Sequence, residues 1–365
     1  MLWRAYALLS HGGDRIGLGS IGLGSWRIPS HPSASRKADD VWKVLEEADA
    51  AIWSANALSA CAESGLLARL GQPATVDELA ADLSMPHALV RSLLDMLASF
   101  GFVVWAHDRV QAAPALTPFT SREGAETFQA ALRAPLLQAE DFRRRLGSGT
   151  LTLEGWSHAD DAIIEAQGAL TRHWTAQALP KLKFLPGLVP RLERPGAVLL
   201  DVGAGAAGLS ITLCRHFPHL TAVALEPASH PAQLGEAHLR QAELADRIAI
   251  RRERVEDLAD QMVFDLAFFP QMFLPDKIIE RALQRIFCAL KPGGWVLVAV
   301  LAQDDQSTLS AVNQLKNLLW GGNTRDVARL KPLLESAGFD PVIRAPGRKA
   351  LRMICARRPN LRDPT

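Results

Sequence analysis

The passage that most constrains this 365-residue chain is Asp201-Val-Gly203-Ala-Gly205-Ala-Ala-Gly208, set between an apolar run and a helical pattern. Ala197–Val202 reads as a buried strand, and the residues from Gly208 through about Phe217 read as a helix. The glycines of such a turn leave the backbone bare, so that a ligand can lie against it. In that strand–turn–helix context the GxGxxG pattern points to a nucleotide-like ligand held by a doubly wound α/β sheet. The downstream sequence agrees. Further strands are predicted at Thr221–Leu225, Arg247–Arg251, Phe264–Phe269, Trp295–Ala302 and, by number, 341–345 and 350–357. Helices are predicted near 230–244, at Asp276–Leu290 and at Val327–Ala337. Repeated alternation of this kind implies a parallel sheet covered on both faces. The last two strands, joined around Pro346-Gly347, predict a closing hairpin, for seven strands in all.

The first 120 residues have another character. Residues 1–37 are rich in Gly, Ser, Pro and Arg, and Ile-Gly-Leu-Gly-Ser occurs twice, at Ile16–Ser20 and Ile21–Ser25. Such a segment cannot bury enough apolar surface to order itself and is expected to be a disordered tail, or to reflect a start placed too far upstream. Arg4 precedes an apolar stretch too short for the h-region of a signal peptide. From Asp39 an apolar stripe at helical spacing (Val41, Trp42, Leu45, Ala48, Ile52, Trp53) runs on to Leu70. Thr75-Val76-Asp77-Glu78 is a capping box that starts a helix to about Leu83, and Ser84 with Pro86 is expected to start the next. Phe102–Trp105 and Arg109–Ala112 read as a hairpin. Two short helices and a hairpin spell a winged helix-turn-helix. Charge argues against DNA: residues 38–120 hold 11 acidic and four basic residues, net −7, although the whole chain is +1. Reading a duplex requires several phosphates to be neutralised. A dimerisation module is the expected alternative, giving a homodimer without nucleic acid. Residues 121–185 read as a helical linker able to line a substrate pocket. The four cysteines are far apart with no CxxC pair, and no apolar run reaches the ~18 residues of a membrane span. A reducing cytoplasm is the expected compartment.

Glu226 ends the second strand of the C-terminal half and is placed to accept hydrogen bonds from a ribose diol. Alone, it and the glycine turn do not separate a dinucleotide from S-adenosylmethionine. The order that follows does: a helix ending in Ala289-Leu290-Lys291-Pro292-Gly293-Gly294, the strand from Trp295, then Ala337-Gly338-Phe339 before the terminal strands. This order resembles the class I S-adenosylmethionine-dependent methyltransferases. With the module in front, residues 40–358 resemble their small-molecule O-methyltransferase family, of the plant-caffeate and bacterial antibiotic-tailoring type. Leu315–Asn323, with Trp320-Gly321-Gly322, resembles the family segment before the last helix.

The resemblance implies a Rossmann-like seven-stranded methyltransferase sheet over residues 186–358, preceded by a mostly helical winged-helix domain over 38–120. It implies S-adenosyl-L-methionine as cofactor and S-adenosylhomocysteine as product. Gly203, Gly205 and Gly208 would flank the methionine part, Asp201 would brace the turn beneath, and Glu226 would hold the ribose. The family Asp near the adenine corresponds to Arg254, which leaves Val255 to pack on the ring. Beyond the fourth strand the family carries His-Asp-Trp-x-Asp, whose His takes the substrate proton. This chain has Met272-Phe273-Leu274-Pro275-Asp276, and a thioether is no base. His173, in the helical stretch expected to roof the pocket, is the preferred substitute, and His158, in a polar loop, ranks below it. His216 and His219 are expected in solvent, so no metal site is expected. Phe269, Met272 and Phe273 suit a planar apolar acceptor, and Gln271 would hydrogen-bond substrate or cofactor. The expected activity is methyl transfer to a hydroxyl or other heteroatom of a small aromatic metabolite. Met272 keeps open a member of the fold with different chemistry, such as a cyclisation or rearrangement, or with binding alone. A nucleotide-dependent oxidoreductase fits the Lys291 turn and the terminal hairpin less well.

Overall fold

The computed structural model describes residues 38–150, 153, 155, 156, 158, 160–301, 307–345 and 351–360. The expected tail over 1–37, Ala302 and the Pro346-Gly347 connection lie outside the described residues. These residues divide into two compact units, one ending at Leu137 and one beginning at Gln138.

The first unit opens with α1 (Ala38–Glu63) and α2 (Leu66–Arg69). The sequence pattern suggests one continuous helix, but Gly65 adopts φ 82° and breaks it. β1 (Ala74–Thr75) leads into α3 (Val76–Leu83) through the expected capping box. The Glu78 amide donates to Thr75 Oγ1 at 3.2 Å, and the Thr75 amide donates to Glu78 Oε2 at 2.9 Å. Ser84 does not open the next helix: at φ 51° it closes α3, and α4 (His87–Ser99) begins after Pro86. β2 (Val103–Ala106) and β3 (Arg109–Ala112) form the expected hairpin, and β1 adds to it in the order β1-β3-β2. Leu58, Leu66, Leu79, Val90, Leu94 and Val110 are buried and form its core.

α5 (Arg122–Ser148) runs across the division between the units. In the second unit follow α6 (Asp161–Ala178) and α7 (Leu188–Leu192), then β4 (Val198–Val202), α8 (Gly208–His216) and β5 (Thr221–Leu225). Next come α9 (Ser229–Gln241), β6 (Ile248–Arg251), β7 (Phe264–Phe269), α10 (Ile279–Ala289) and β8 (Leu290–Leu301). The chain ends with α11 (Thr308–Leu319), α12 (Val327–Ser336), β9 (Val342–Arg344) and β10 (Leu351–Arg357). The sheet has the order β6-β5-β4-β7-β8-β10-β9. β4 to β8 are parallel, whereas β10 is antiparallel to both β8 and β9.

Alternation along the strands builds two cores. Leu199, Leu266 and Phe268 face α7 and α8, while Leu200, Val202, Ala267 and Phe269 face α10 and α12. Chain order reverses between β4 and β7, so a crevice opens at their carboxyl ends, the place where open α/β sheets take ligands.

The opposite end is tied by one carboxylate. Asp265, 4% exposed, accepts from Lys291 Nζ at 2.6 Å, Arg191 Nη1 at 3.0 Å and the Val198 amide at 3.0 Å. It joins β7, β8, α7 and β4. This explains the Lys291-Pro-Gly-Gly turn: a Cβ on Gly294 would stand 2.8 Å from the Lys291 carbonyl oxygen, and one on Gly293 would stand 2.7 Å from Arg191 Nη2. Removing one member of a buried ion cluster strands the others. Asp265→Ala is therefore expected to lower unfolding stability by about 2–4 kcal/mol, read as a drop in the denaturant midpoint with the slope unchanged. A midpoint within error of wild type would contradict the role of Asp265 as a tie.

Candidate active site

The turn after β4 is held open by two buried carboxylates. Asp201, the fourth residue of β4, is 2% exposed and accepts from Ser210 Oγ at 2.7 Å. It also accepts from the Ser210 backbone amide, which fixes the first turn of α8 to the strand. Burial pushes its carboxyl up to about 7, with the Glu226 charge adding to the rise and the Ser210 hydrogen bonds opposing it. Glu226, just past β5, accepts from the Gly205 amide at 2.9 Å through Oε2 and from the Ala228 amide at 2.9 Å through Oε1. It too is raised above the usual carboxylate range by burial, against those two hydrogen bonds.

The three glycines divide by role. Gly203 and Gly205 have φ 65° and 53°, and a Cβ on either would meet nothing within 4 Å. Their side of the turn is open. At Gly208 a Cβ would lie 2.6 Å from the Gly168 carbonyl oxygen, so this glycine admits α6 against α8. Val255 sits in a short 3-10 turn after β6, 3% exposed and packed in the α10-side core.

The other wall rises from the tip of β7. Gln271 and Met272 are buried in a 3-10 turn at Gln271–Phe273, immediately beyond Phe269. A Cβ on Gly322 would overlap the Met272 carbonyl, and a Cβ on Gly321 would overlap the Gly155 backbone. Three stretches therefore converge: Gly155 with Trp156 and His158, residues 271–273, and residues 320–323. Trp156, Phe273 and Trp320 form an aromatic box there, with ring centroids 5.5 Å apart for Trp156–Phe273 and 4.8 Å for Phe273–Trp320. Trp320 Nε1 donates to Gln138 Oε1 at 3.3 Å. Asn323 Nδ2 donates to the Gln271 and Leu274 carbonyls, each at 2.9 Å, which pins the turn.

The two histidines considered as bases sit differently. His173 is half-buried on α6. His158 does not lie in an open polar loop: it is 5% exposed, 4.8 Å from the Trp156 ring, with Nδ1 2.6 Å from Asp141 Oδ2. Sequence reading misses Ser210, Trp156, Asp141 and Asn317. Ser210 and Asp141 carry no signal until helices α8 and α5 are placed. Asn317 was legible, because Ser310, Asn313 and Asn317 put a polar row on the buried side of α11.

Residues 199–294 match a methyltransferase-domain family model. Solved structures with the same fold include an O-methyltransferase family protein from Burkholderia thailandensis, at 15% identity and a TM-score of 0.62, covering 90% of this chain and 100% of that one. The mitomycin 7-O-methyltransferase MmcR matches at 20% and 0.59, over 88% and 98% of the two chains. Human N-acetylserotonin methyltransferase, solved in complex with S-adenosylmethionine, matches at 17% and 0.58, over 90% and 100%. The chain shares the fold of these methyltransferases, with a methyltransferase-type domain over residues 199–294 behind a helical N-terminal region.

The raised Asp201 carboxyl has a thermodynamic consequence. Its folded pKa, about 7, exceeds the ordinary 3.8, so the folded state keeps a proton that the unfolded chain releases. The associated stability is complete below about pH 4 and is lost as pH rises through about 7. Asp201→Asn, which removes the titration, is expected to flatten this part of the stability–pH curve. Parallel curves for variant and wild type would contradict the assignment.

Proposed function

We propose that the protein transfers the methyl group of S-adenosylmethionine to a hydroxyl, or another heteroatom, of a small aromatic metabolite. The observation that carries this reading is an open glycine turn at the carboxyl end of β4 and an aromatic cluster beyond the carboxyl end of the adjacent β7, at the reversal point of the sheet. The residues fit the cofactor. Gly203 and Gly205 leave backbone bare, and an ionised carboxylate offers about four acceptor positions, of which Glu226 has used two. Glu226 would take the ribose diol, Gly203 and Gly205 the methionine part, and Val255 the adenine face. Asp201 and Gly208 act one layer back, on the helix that shapes the turn.

When bound, S-adenosylmethionine supplies a methyl group already activated by its sulfonium. The chain's own work is alignment. Phe269, Met272 and Phe273 would set the plane of the acceptor, with Gln271 at its polar edge. Positioning of this kind supplies a large share of rate. Glu226→Ala is expected to weaken S-adenosylmethionine binding by ~1–3 kcal/mol in calorimetry, while NAD shows no binding to either protein. Wild-type binding of NAD alone would sink the reading in favour of an oxidoreductase. Cofactor binding without label transfer to any tightly bound aromatic ligand would favour a fold member of different chemistry, the reading that Met272 motivates.

The partner proposed for the first unit is a second copy of the chain. Along α1, Val41, Trp42, Leu45, Ile52 and Trp53 are 48–69% exposed. At 100° per residue they fall within about a third of the helix circumference. A bare apolar stripe with two tryptophans is the composition of an interface core. The unit is a poor match for a duplex, because Arg91, the one arginine of α4, is ion-paired to Asp95 at 2.9 Å and stacked on Trp105 at 4.6 Å. Trp42→Glu with Trp53→Glu is expected to halve the mass measured by light scattering; an unchanged mass would exclude this face. Cys61, Cys214 and Cys355 are free thiols pushed up to about 12 by burial, which suits the reducing cytoplasm proposed as the compartment. Among the described residues no helix is long and apolar enough to cross a membrane.

A further inference from the structure

Among the described residues, three polar side-chain atoms in this region are buried with no hydrogen-bond partner: His158 Nε2, Gln271 Oε1 and, on α11, Asn317 Oδ1. Such atoms are rare and mark where a polar partner belongs. Their chemistry is defined by what their own side chains already do. Gln271 Nε2 donates to the Arg325 carbonyl at 3.4 Å, and Asn317 Nδ2 donates to the Asn323 carbonyl at 2.9 Å. The remaining oxygens only accept. His158 Nδ1 faces Asp141 Oδ2 at 2.6 Å. An ionised carboxylate cannot donate, so Nδ1 carries the hydrogen and Nε2 keeps a lone pair. A base whose ring lies edge-on to Trp156 and two acceptors on the elements that carry Phe273 and Trp320 thus lack a partner.

We propose that His158, oriented by Asp141, is the general base of methyl transfer, receiving the acceptor's proton at Nε2 in the role that Met272 cannot fill. The assignment rests on the methyltransferase reading above and sharpens its substrate. The acceptor is a planar aromatic with a hydroxyl at the His158 edge and a second donor, O–H or N–H, toward Gln271 and Asn317. Catechols and hydroxyindoles have this pattern. The acceptor O–H bond breaks and its proton goes to Nε2. The oxygen lone pair forms the bond to the methyl carbon while the carbon–sulfur pair stays on sulfur. The products are an aryl methyl ether, an uncharged thioether and an imidazolium paired with Asp141, which returns its proton to solvent.

The electrostatics support a ring that is neutral and ready to accept. Burial lowers the His158 pKa and Arg145 adds to that, against the upward pull of Asp141. Burial raises the Asp141 carboxyl, but its hydrogen bonds and charge pairing with His158 and Arg145 outweigh this and hold it below the usual range. Among the described residues, the charged groups ion-paired to the His158–Asp141 couple are Arg144 and Arg145, both on α5 like Asp141 itself. Residues 271–273 and 320–323 contribute none.

The first measurement needs no substrate. Nitrogen NMR of the full chain labelled at histidine is expected to show His158 as the Nδ1–H tautomer, uncharged at neutral pH and titrating below the ordinary histidine range. An Nε2–H tautomer, or an imidazolium at neutral pH, would overturn the assignment. The second compares His158→Gln and Asp141→Asn with wild type, using labelled S-adenosylmethionine and a panel of catechols and hydroxyindoles. His158→Gln is expected to lose ~10²–10⁴-fold in kcat at neutral pH, with cofactor affinity by calorimetry unchanged. The deficit should shrink toward the pH at which the acceptor ionises by itself. Asp141→Asn, acting through the ring, should move the acid limb of the pH–rate profile. Intact cofactor binding with a wild-type profile in His158→Gln overturns this assignment alone. No cofactor binding by wild type overturns the parent reading and this one with it.

Discussion

The proposed site depends on a buried carboxylate that gives one acceptor position of each oxygen to backbone. Glu226 binds the amide of Gly205 with one oxygen and that of Ala228 with the other. It thereby fastens the turn after β4 to the turn after β5. A glycine turn by itself samples many conformations, because Gly loses more freedom on ordering than any other residue. Two fixed amide contacts remove that freedom in advance, so the surface meeting a ligand exists before the ligand arrives. The cost is visible in the raised pKa values of Glu226 and its neighbour Asp201. Burial opposes both charges, and only hydrogen bonds offset it. Preorganisation of this kind is a general route to binding strength without additional contacts.

The two ends of the sheet divide the labour. At one end Asp265 collects a lysine, an arginine and an amide from three other elements. Nothing there is open, and the adjoining glycines at 293 and 294 exist because neighbours occupy the space of a side chain. At the other end the glycines at 203 and 205 face space that no neighbour occupies. The same residue type therefore reports packing in one place and open space in the other. Only coordinates distinguish them. Gly208 shows the point within a single motif, since its missing Cβ accommodates α6.

Period-2 and period-3.6 patterns made the C-terminal sheet legible: strands at Thr221–Leu225 and Phe264–Phe269 coincide residue for residue with prediction. Such segments are buried on both faces, so their apolar runs have one reading. Errors arose where a single residue's backbone decides the outcome. Gly65 and Ser84 both adopt positive φ and end helices, yet each sits in a sequence equally compatible with helix continuation or initiation. The glycine turn and Glu226, proposed for the cofactor, were legible as neighbours because they are local, a strand, a turn and the next strand tip. On the other side Gln271, Met272 and Phe273 were legible one by one, but not their grouping with residues 141, 156 and 320, separated by up to 179 positions. No window of sequence contains that neighbourhood.

Met272 connects these observations. A histidine at the tip of β7 would place a base on the rigid sheet. Here the backbone of that turn is instead packed so tightly on Gly322 that a Cβ there would overlap the Met272 carbonyl, and the thioether joins the apolar core around α8. Under the assignment proposed above, the polar function moves outward, to a histidine on the connection between α5 and α6 whose partner carboxylate is anchored by Arg144 and Arg145. A base on a connection is positioned less by the sheet than by its own ion pair, which explains why Asp141 is buried among arginines rather than solvated. It also ties proton transfer to the packing of Trp156 on Phe273 and Trp320. That makes the aromatic box a positioning device for the base as well as a surface for the acceptor. Loosening the box therefore acts on the acceptor and the base together, and its members are expected to show strongly non-additive effects with His158.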